Sequence, residues 1–344
     1  MSTANTPIEC TPSQLTKVLR TCYKSNKLIP FIQGPPGVGK SSGVDAFADE
    51  IDADNTDVRL CYYGPQDIQG FPYLDTDEQG KKRMRFSVPA FWPTGQRKTV
   101  LKFEEVNTAT KSVFNAMMQL SLERRIGDHK LPDDTFIILL GNRPEDRCGV
   151  EKLPAALADR VQPIIVRPDL DEWVRWGQRN GVDPLVTAFV RFRPDLLLTF
   201  NGAKWDGVSG FATPRSWEKA SDVVKYAEDA HTRHVLLNGT LGSGVAAEFL
   251  GFLAVYEKLP DLDGILLHPE KAKVPTDPST IYATCAGLAK RVQKKTMPAL
   301  LTYFDRLPEE FSVFGLKTAV THNQELMNTS AFTSWVSSNR GIFA

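Results

Sequence analysis

One short segment constrains this chain more than any other. Residues 34–41 read Gly-Pro-Pro-Gly-Val-Gly-Lys-Ser, which matches the pattern Gly-x-x-x-x-Gly-Lys-Ser/Thr at every fixed position. The apolar run Leu28–Ile32 predicts a strand before it, and the spacing of Val44, Phe47, Ala48 and Ile51 predicts a helix after it. A strand, a glycine-rich turn and a helix must therefore follow one another here.

That succession is typical of a phosphate-binding loop. Glycines let backbone N–H groups turn toward phosphate oxygens without a Cβ clash, and the helix offers its positive N-terminal end to the anion. Lys40 is expected to reach the β- and γ-phosphates, and the Ser41 hydroxyl to ligate Mg²⁺. The predicted cofactors are ATP and Mg²⁺, and the candidate binding residues are Gly34, Pro35, Pro36, Gly37, Val38, Gly39, Lys40, Ser41 and Ser42. The alternative is a chance glycine-rich turn.

The bulk composition excludes some partners. Lys plus Arg and Asp plus Glu number 41 each among 344 residues, so bulk attraction to nucleic acid or to an anionic membrane has no support. No apolar run approaches the roughly 20 residues that span a bilayer. The polar stretch 1–6 does not resemble a signal peptide, and the five cysteines form no Cys-x-x-Cys pair. We expect a cytoplasmic protein with reduced thiols.

The order of apolar runs predicts an α/β fold. Four further strand candidates follow the loop, with helical patterns between several of them: Val58–Tyr62, Thr99–Phe103, Phe136–Leu140 and Pro163–Val166. Continuous apolar runs are typical of a parallel sheet buried on both faces. We predict a three-layer P-loop α/β core over 1–168, an α-helical lid over 169–230, and an α-helical C-terminal extension over 231–344.

A second candidate site element is the acidic end of the Thr99–Phe103 strand. Glu104 is expected to hold the water shell of Mg²⁺, and Glu105 to polarise the attacking water. Successive strand side chains point to opposite faces, so the two carboxylates can serve different purposes. Lys102 is an unusual polar residue within this apolar strand. The alternative is an acidic strand end that simply faces solvent.

Three more residues are candidates by order and spacing. Asn142 follows the next strand and could bind the γ-phosphate or the lytic water. Arg160 precedes the last predicted strand and could face the nucleotide of a neighbouring subunit, while Arg215 begins a helix in the predicted lid. Each also has an ordinary alternative, a turn residue for Asn142 and a surface ion pair for either arginine.

Taken in order, these elements resemble those of AAA+ ATPases, and more narrowly those of the MoxR branch. The similarity covers about residues 11–230. The segments that carry it are Pro65–Gly70, Phe103–Ala109, the helix and inserted hairpin at Ala116–Arg125, and Leu153–Arg160. The C-terminal part resembles the elaborated lid of phage- and plasmid-type MoxR-like members.

The resemblance implies a parallel core with a helical lid and a homo-oligomeric ring, usually of six subunits. It implies that Asn142 is sensor 1, Arg215 is sensor 2, and Arg160 acts in trans on the neighbouring subunit. Hydrolysis would act on a protein client, often with a von Willebrand A domain partner. The loops that would contact it are Gly70–Tyr73 and the hairpin around Arg124–Lys130.

This chain departs from the MoxR branch at two positions. Two functions other than protein remodelling also stay open. The branch usually has Asp where Glu104 stands and a basic residue where Thr108 stands. The longer Glu104 leaves open a nucleotide-gated scaffold that turns over slowly. The basic clusters 81–85 and 290–295 leave open a DNA-associated AAA+ motor or restriction-type subunit.

Overall fold

The computed structural model describes residues 8–25, 27–127, 129–146, 155–259 and 261–338. The chain divides into two compact units, which are residues 1–168 with 201–205, and residues 169–200 with 206–344. Several residues used in the predictions above lie outside the described residues: 1–6, Asp128 of the predicted hairpin, Cys148 among the five cysteines, and Leu153-Pro154. Among the described residues, no helix has the length and apolarity to cross a membrane.

A parallel sheet organises the first unit. The strands described along the chain are β1 Glu9–Cys10, β2 Ile29–Gln33, β3 Asp54–Arg59, β4 Pro72–Thr76, β5 Lys82–Phe86, β6 Thr99–Glu104, β7 Arg125–Ile126, β8 His129–Lys130, β9 Thr135–Gly141 and β10 Val161–Val166. Six of them form one sheet in the order β1-β10-β2-β9-β6-β3, and every neighbouring pair is parallel. The predicted P-loop α/β fold class is confirmed.

Helices cover both faces of this sheet. Those of the first unit are α1 Pro12–Ser25, α2 Lys40–Glu50, α3 Pro65–Gln69, α4 Lys111–Glu123 and α5 Ala155–Ala158. One apolar layer joins α1 and α2 to one face, and a second layer joins α4 to the other. Because both faces are buried, β6 and β9 are buried throughout, which explains the long apolar run of β9 and the mainly apolar β6, in which Lys102 and Glu104 are buried charged residues.

Two antiparallel hairpins interrupt the α/β order. The first pairs β4 with β5 and the second pairs β7 with β8. The second lies where the MoxR resemblance implies an inserted hairpin. The first was not predicted, because the polar run 75–83 carries no apolar periodicity.

One strand begins and ends earlier than predicted. The run Val58–Tyr62 is only partly strand, since β3 ends at Arg59 and Leu60–Tyr62 form a 3₁₀ turn. β3 lies at the edge of the sheet and is mostly polar, with Val58 buried within it. An edge strand buries less of its surface, so its apolar run marks the strand poorly.

The second unit is helical in its described residues. Its helices are α6 Leu170–Arg179, α7 Pro184–Phe192, α8 Pro214–Tyr226, α9 Ala230–Leu241, α10 Ser243–Glu257, α11 Leu262–Leu267, α12 Pro278–Arg291, α13 Met297–Phe304, α14 Glu309–His322 and α15 Ser330–Ser338. The predicted start of α8 at Thr213-Pro214 agrees with the observed one, and Thr213 caps it through Ser216 N.

One apolar core runs through this helical unit. Trp217 of α8 is fully buried, and its ring centroid lies 5.5 Å from Phe189 of α7 and 5.3 Å from Phe249 of α10. The predicted lid, 169–230, and the predicted extension, 231–344, both contribute to this core. Their subdivision at residue 230 stays a prediction.

Candidate functional site

The strand register brings the predicted site residues to one edge of the sheet. Gln33 pairs with Gly141, and Phe103 pairs with Leu139. The carboxyl ends of β2, β9 and β6 therefore lie side by side, and each continues directly into a candidate residue. This edge is where ligands bind in open parallel sheets.

The glycine-rich loop has the backbone that its sequence predicts. Gly37 and Gly39 adopt positive φ angles of 72° and 91°, a region that glycine enters without strain. Gly34 is required for a different reason, because a Cβ there would lie 2.5 Å from the carbonyl oxygen of Val166. α2 begins at Lys40, so its N-terminal N–H groups face the loop.

The side chain of Lys40 folds back over the start of this loop. Its Nζ donates to the carbonyl oxygens of Gly34 at 2.7 Å and Pro35 at 3.0 Å, and to Asn142 Oδ1 at 3.3 Å. The ammonium group is thus held beside the ends of β2 and β9. A triphosphate in the loop would give it stronger, charged acceptors.

Asn142 also contacts the acidic end of β6. Its Nδ2 donates to Glu105 Oε2 at 3.2 Å, so one amide side chain links Lys40 to Glu105. Glu105 has φ 56° and ψ 37°, a left-handed conformation that is uncommon for a residue with a Cβ. Strained backbone of this kind clusters at functional sites.

Glu104 belongs to a partly buried network of charges. Its Oε2 lies 3.5 Å from Arg59 Nε, and its Oε1 lies 3.5 Å from Lys102 Nζ. Lys102 is 4% exposed and donates to Asp45 Oδ1 of α2 at 2.7 Å. Lys102 therefore joins the strand of the acidic pair to the helix that carries Ser41, one turn before Asp45.

The same network explains two electrostatic shifts. Burial raises the pKa of the Asp57 carboxyl, and the nearby Glu104 carboxylate raises it further. Glu104 also raises the pKa of Arg59. Lys102, 3.9 Å from Asp57 Oδ2, lowers the pKa of that carboxyl and so opposes the first shift.

The residues present fit a magnesium ion held mainly by water and phosphate. Glu104 Oε1 is buried and has no hydrogen bond within the described part of the chain. Those residues also contain no group of three or more His, Cys, Asp or Glu side chains that could cage a metal. In nucleotide sites, Mg²⁺ usually keeps several water ligands and binds only one or two carboxylates. Glu104 and the Ser41 hydroxyl would be sufficient for such a site.

The two predicted arginines belong to different units of the chain. Arg160 is exposed immediately before β10, and its N–H donates to Leu157 O at 2.9 Å. Arg215 is exposed at the second position of α8, in the other unit. Their approach to a nucleotide stays a prediction.

Sequence reasoning missed the importance of two residues. Asn107 is 2% exposed and bonds to the backbone of Asn142. Lys102 forms ion pairs with Asp45, Asp57 and Glu104. A buried amide gives no periodic signal, but a lone lysine in an apolar strand does indicate a buried ion pair.

The close packing at Gly141 yields a stability prediction. A Cβ there would lie 2.5 Å from Asn107 Oδ1 and 3.0 Å from a ring carbon of Phe31. Because both neighbours are buried, we expect Gly141→Ala to lower the free energy of unfolding by about 1–3 kcal/mol in denaturant titration. Gly251→Ala in α10 is the control, since a Cβ added there would have no atom within 4 Å. Equal stabilities of the two variants would contradict the packing argument.

The fold and the site together define a P-loop nucleoside triphosphatase. Residues 30–161 match the family model of the AAA domain, dynein-related subfamily. The first unit is thus an AAA+ ATPase domain; the chain is an ATPase, with ATP and Mg²⁺ as its cofactors. No curated protein matches the chain.

Many solved structures are similar to this chain at a low level, and two serve as examples. The Thermotoga maritima RuvB Holliday junction branch migration motor is 15% identical, with 80% of this chain and 81% of that chain covered and a TM-score of 0.39. NtrX from Brucella abortus in complex with ADP is 14% identical, with 96% and 68% covered and a TM-score of 0.41. The substrates and partners of these proteins carry no weight for this chain.

Proposed function

We propose that this chain is a MoxR-type ATPase whose subunits form a ring, six being usual in that branch, and use ATP to remodel a partner protein. The observation that carries the proposal is the convergence of Lys40, Asn142 and Glu105 at one edge of the sheet. The hairpin β7–β8 supports the MoxR assignment, since the resemblance implies it.

The proposed mechanism assigns one task to each side chain. The loop 34–41, which includes Lys40, binds the triphosphate. Ser41 and Glu104 would hold Mg²⁺, which when bound would neutralise phosphate charge. Glu105 takes a proton from the attacking water. Asn142, bonded to both Lys40 and Glu105, orients that water toward the γ-phosphate.

Arg160 supplies the test of the ring. It is exposed in the single chain, so we propose that it completes the site of an adjoining subunit. Arg160→Ala should lower kcat by about 10³-fold or more in the assembled protein, the order of magnitude associated with an arginine finger. ATPase activity per subunit is measured against protein concentration, with exposed Arg175→Ala as the control. Wild-type activity that does not depend on concentration and survives Arg160→Ala would contradict action in trans.

The basic clusters give little support to the DNA-motor alternative. In the first, Arg83 and Arg85 pair with Asp77 and Asp75 of their own hairpin, both at 2.9 Å. In the second, Lys290 pairs with Asp183 at 2.8 Å and Lys294 with Glu325 at 3.0 Å. Cations that are already paired release fewer counterions on binding DNA, so a protein partner is favoured.

Exposed aromatic side chains are consistent with a protein partner. Phe71 is 63% exposed and Tyr73 is 48% exposed, at the start of the β4–β5 hairpin. These residues lie in the loop that the MoxR resemblance implies for client contact. A von Willebrand A domain protein is the partner class that the branch suggests.

A further inference from the structure

The segment after the acidic pair turns sharply back on itself. Glu105 takes the left-handed conformation, and Val106–Thr108 form a 3₁₀ turn. Thr108 closes the turn by donating to Glu105 O from its N–H at 3.1 Å and from its hydroxyl at 2.9 Å. The reversal carries the side chain of Asn107 to the end of β9 and buries it.

There the Asn107 amide pairs with the backbone of Asn142. Its Nδ2 donates to Asn142 O at 2.6 Å, and its Oδ1 accepts from Asn142 N–H at 3.2 Å. The ladder between β6 and β9 ends at Phe103 and Leu139. The side-chain amide thus provides, past that point, the donor and acceptor that another strand residue would have offered.

Gly141 makes this pairing possible, since a side chain there would overlap Asn107. With both backbone groups of Asn142 bonded, the direction in which its side chain leaves the strand is restricted. That side chain spans from Lys40 Nζ to Glu105 Oε2. A shift of its backbone would break one of these two contacts, because each is already at 3.2–3.3 Å.

We infer that Asn107 is a positioning residue for ATP hydrolysis, which acts by fixing the backbone of Asn142. The inference rests on the proposed function, in which Asn142 orients the attacking water. Within the part of the chain that the structure describes, the Asn107 amide bonds to the backbone of Asn142 and not to the phosphate-binding loop, so nucleotide affinity should not depend on it directly. We expect Asn107 to affect the chemical step, because misplacing a reacting group by about 1 Å lowers the rate on the order of 100-fold.

The test is a double-mutant cycle read in kcat, KM and the affinity for a fluorescent ATP analogue. Asn107→Ala should lower kcat by about 10- to 100-fold and leave KM and affinity within about threefold. Asn142→Ala should also lower kcat. The double variant should be no slower than Asn142→Ala alone, since both substitutions remove one function. Asn180→Ala is the control, an exposed asparagine that follows α6 and bonds to the Trp176 carbonyl of that helix.

An isosteric variant covers the case in which Asn107→Ala does not fold. Asn107→Asp keeps the shape and the acceptor for Asn142 N–H, but it places an oxygen against the Asn142 carbonyl. We expect the same loss of kcat, whereas a role in filling space alone would leave kcat at the wild-type value. Fully additive losses in the cycle would also overturn the inference. If Asn142→Ala itself hydrolyses ATP normally, the proposed function of Asn142 fails instead.

Discussion

Lys40→Ala is expected to weaken ATP binding by about 100-fold or more. Lys40 carries the only charge in the loop sequence 34–42, and charge-assisted hydrogen bonds contribute about 1.5–3 kcal/mol each. Its contacts to Gly34 O, Pro35 O and Asn142 Oδ1 show that it already points across the loop. Titration with a fluorescent ATP analogue in Mg²⁺ measures the loss directly.

Thermal unfolding provides an independent measure of the same effect. Mg²⁺ and ATP at a concentration that saturates the wild-type protein should raise its Tm by mass action, and should raise the Tm of Lys40→Ala much less. Lys98→Ala is the matched control, because this lysine is exposed and lies just before β6 in the same unit. A Lys40→Ala protein with an affinity within about threefold of the wild type would remove the phosphate-loop assignment.

The sequence was sufficient for residues whose position follows from the sheet alone. Glu105 and Asn142 come directly after buried strands, and Lys40 follows the loop at the end of β2. Parallel strands end at one edge, so the proximity of the three could be predicted without coordinates. The contacts Lys40–Asn142 and Asn142–Glu105 agree with that reasoning.

Contacts that depend on irregular backbone could not be predicted in this way. Asn107 reaches Asn142 only because Glu105 adopts a positive φ angle, and no sequence period signals that turn. The partners of Lys102 lie on three different elements, α2, β3 and β6, so only the fold identifies them. Both examples are buried polar side chains, whose role depends on what packs around them.

Arg160 and Arg215 belong to a third category. Both are exposed in the single chain, and their proposed tasks require a nucleotide together with another subunit or the second unit. An exposed arginine has the same appearance whether it serves a surface ion pair or a neighbouring active site. Only measurements on the assembled protein separate these two cases.

The surroundings of Glu104 have a consequence for the rate of hydrolysis. The carboxylate that would face Mg²⁺ is shared with Lys102 and Arg59, each at 3.5 Å. A carboxylate already paired with cations attracts Mg²⁺ less strongly than an unpaired one, which would slow hydrolysis. The turnover of the wild-type protein therefore distinguishes a remodelling ATPase from a slow, nucleotide-gated scaffold. Tight ATP binding with almost no turnover would favour the scaffold.

Glu105→Gln is expected to lower kcat by about 10²–10⁴-fold while ATP still binds. Glutamine keeps the length of the side chain and an oxygen that can accept from Asn142 Nδ2, but it cannot take a proton from water. The nucleotide-binding loop is unchanged, so the affinity for ATP should stay near the wild-type value. Glu50→Gln, at the other end of α2 and paired with Arg20, controls for loss of a carboxylate. Normal hydrolysis by Glu105→Gln would show that another group is the base.

The same variant can identify the partner, because a ring that binds ATP without hydrolysing it should retain what it holds. Capture by Glu105→Gln in ATP is compared with capture by Lys40→Ala, which should retain nothing in a nucleotide-dependent way. Phe71→Ala tests the exposed loop, since loss of a protein from the Glu105→Gln complex on this second change would assign the contact to that side chain. Retention of DNA in a salt-dependent manner, with no protein, would reverse the preference and favour a nucleic-acid motor.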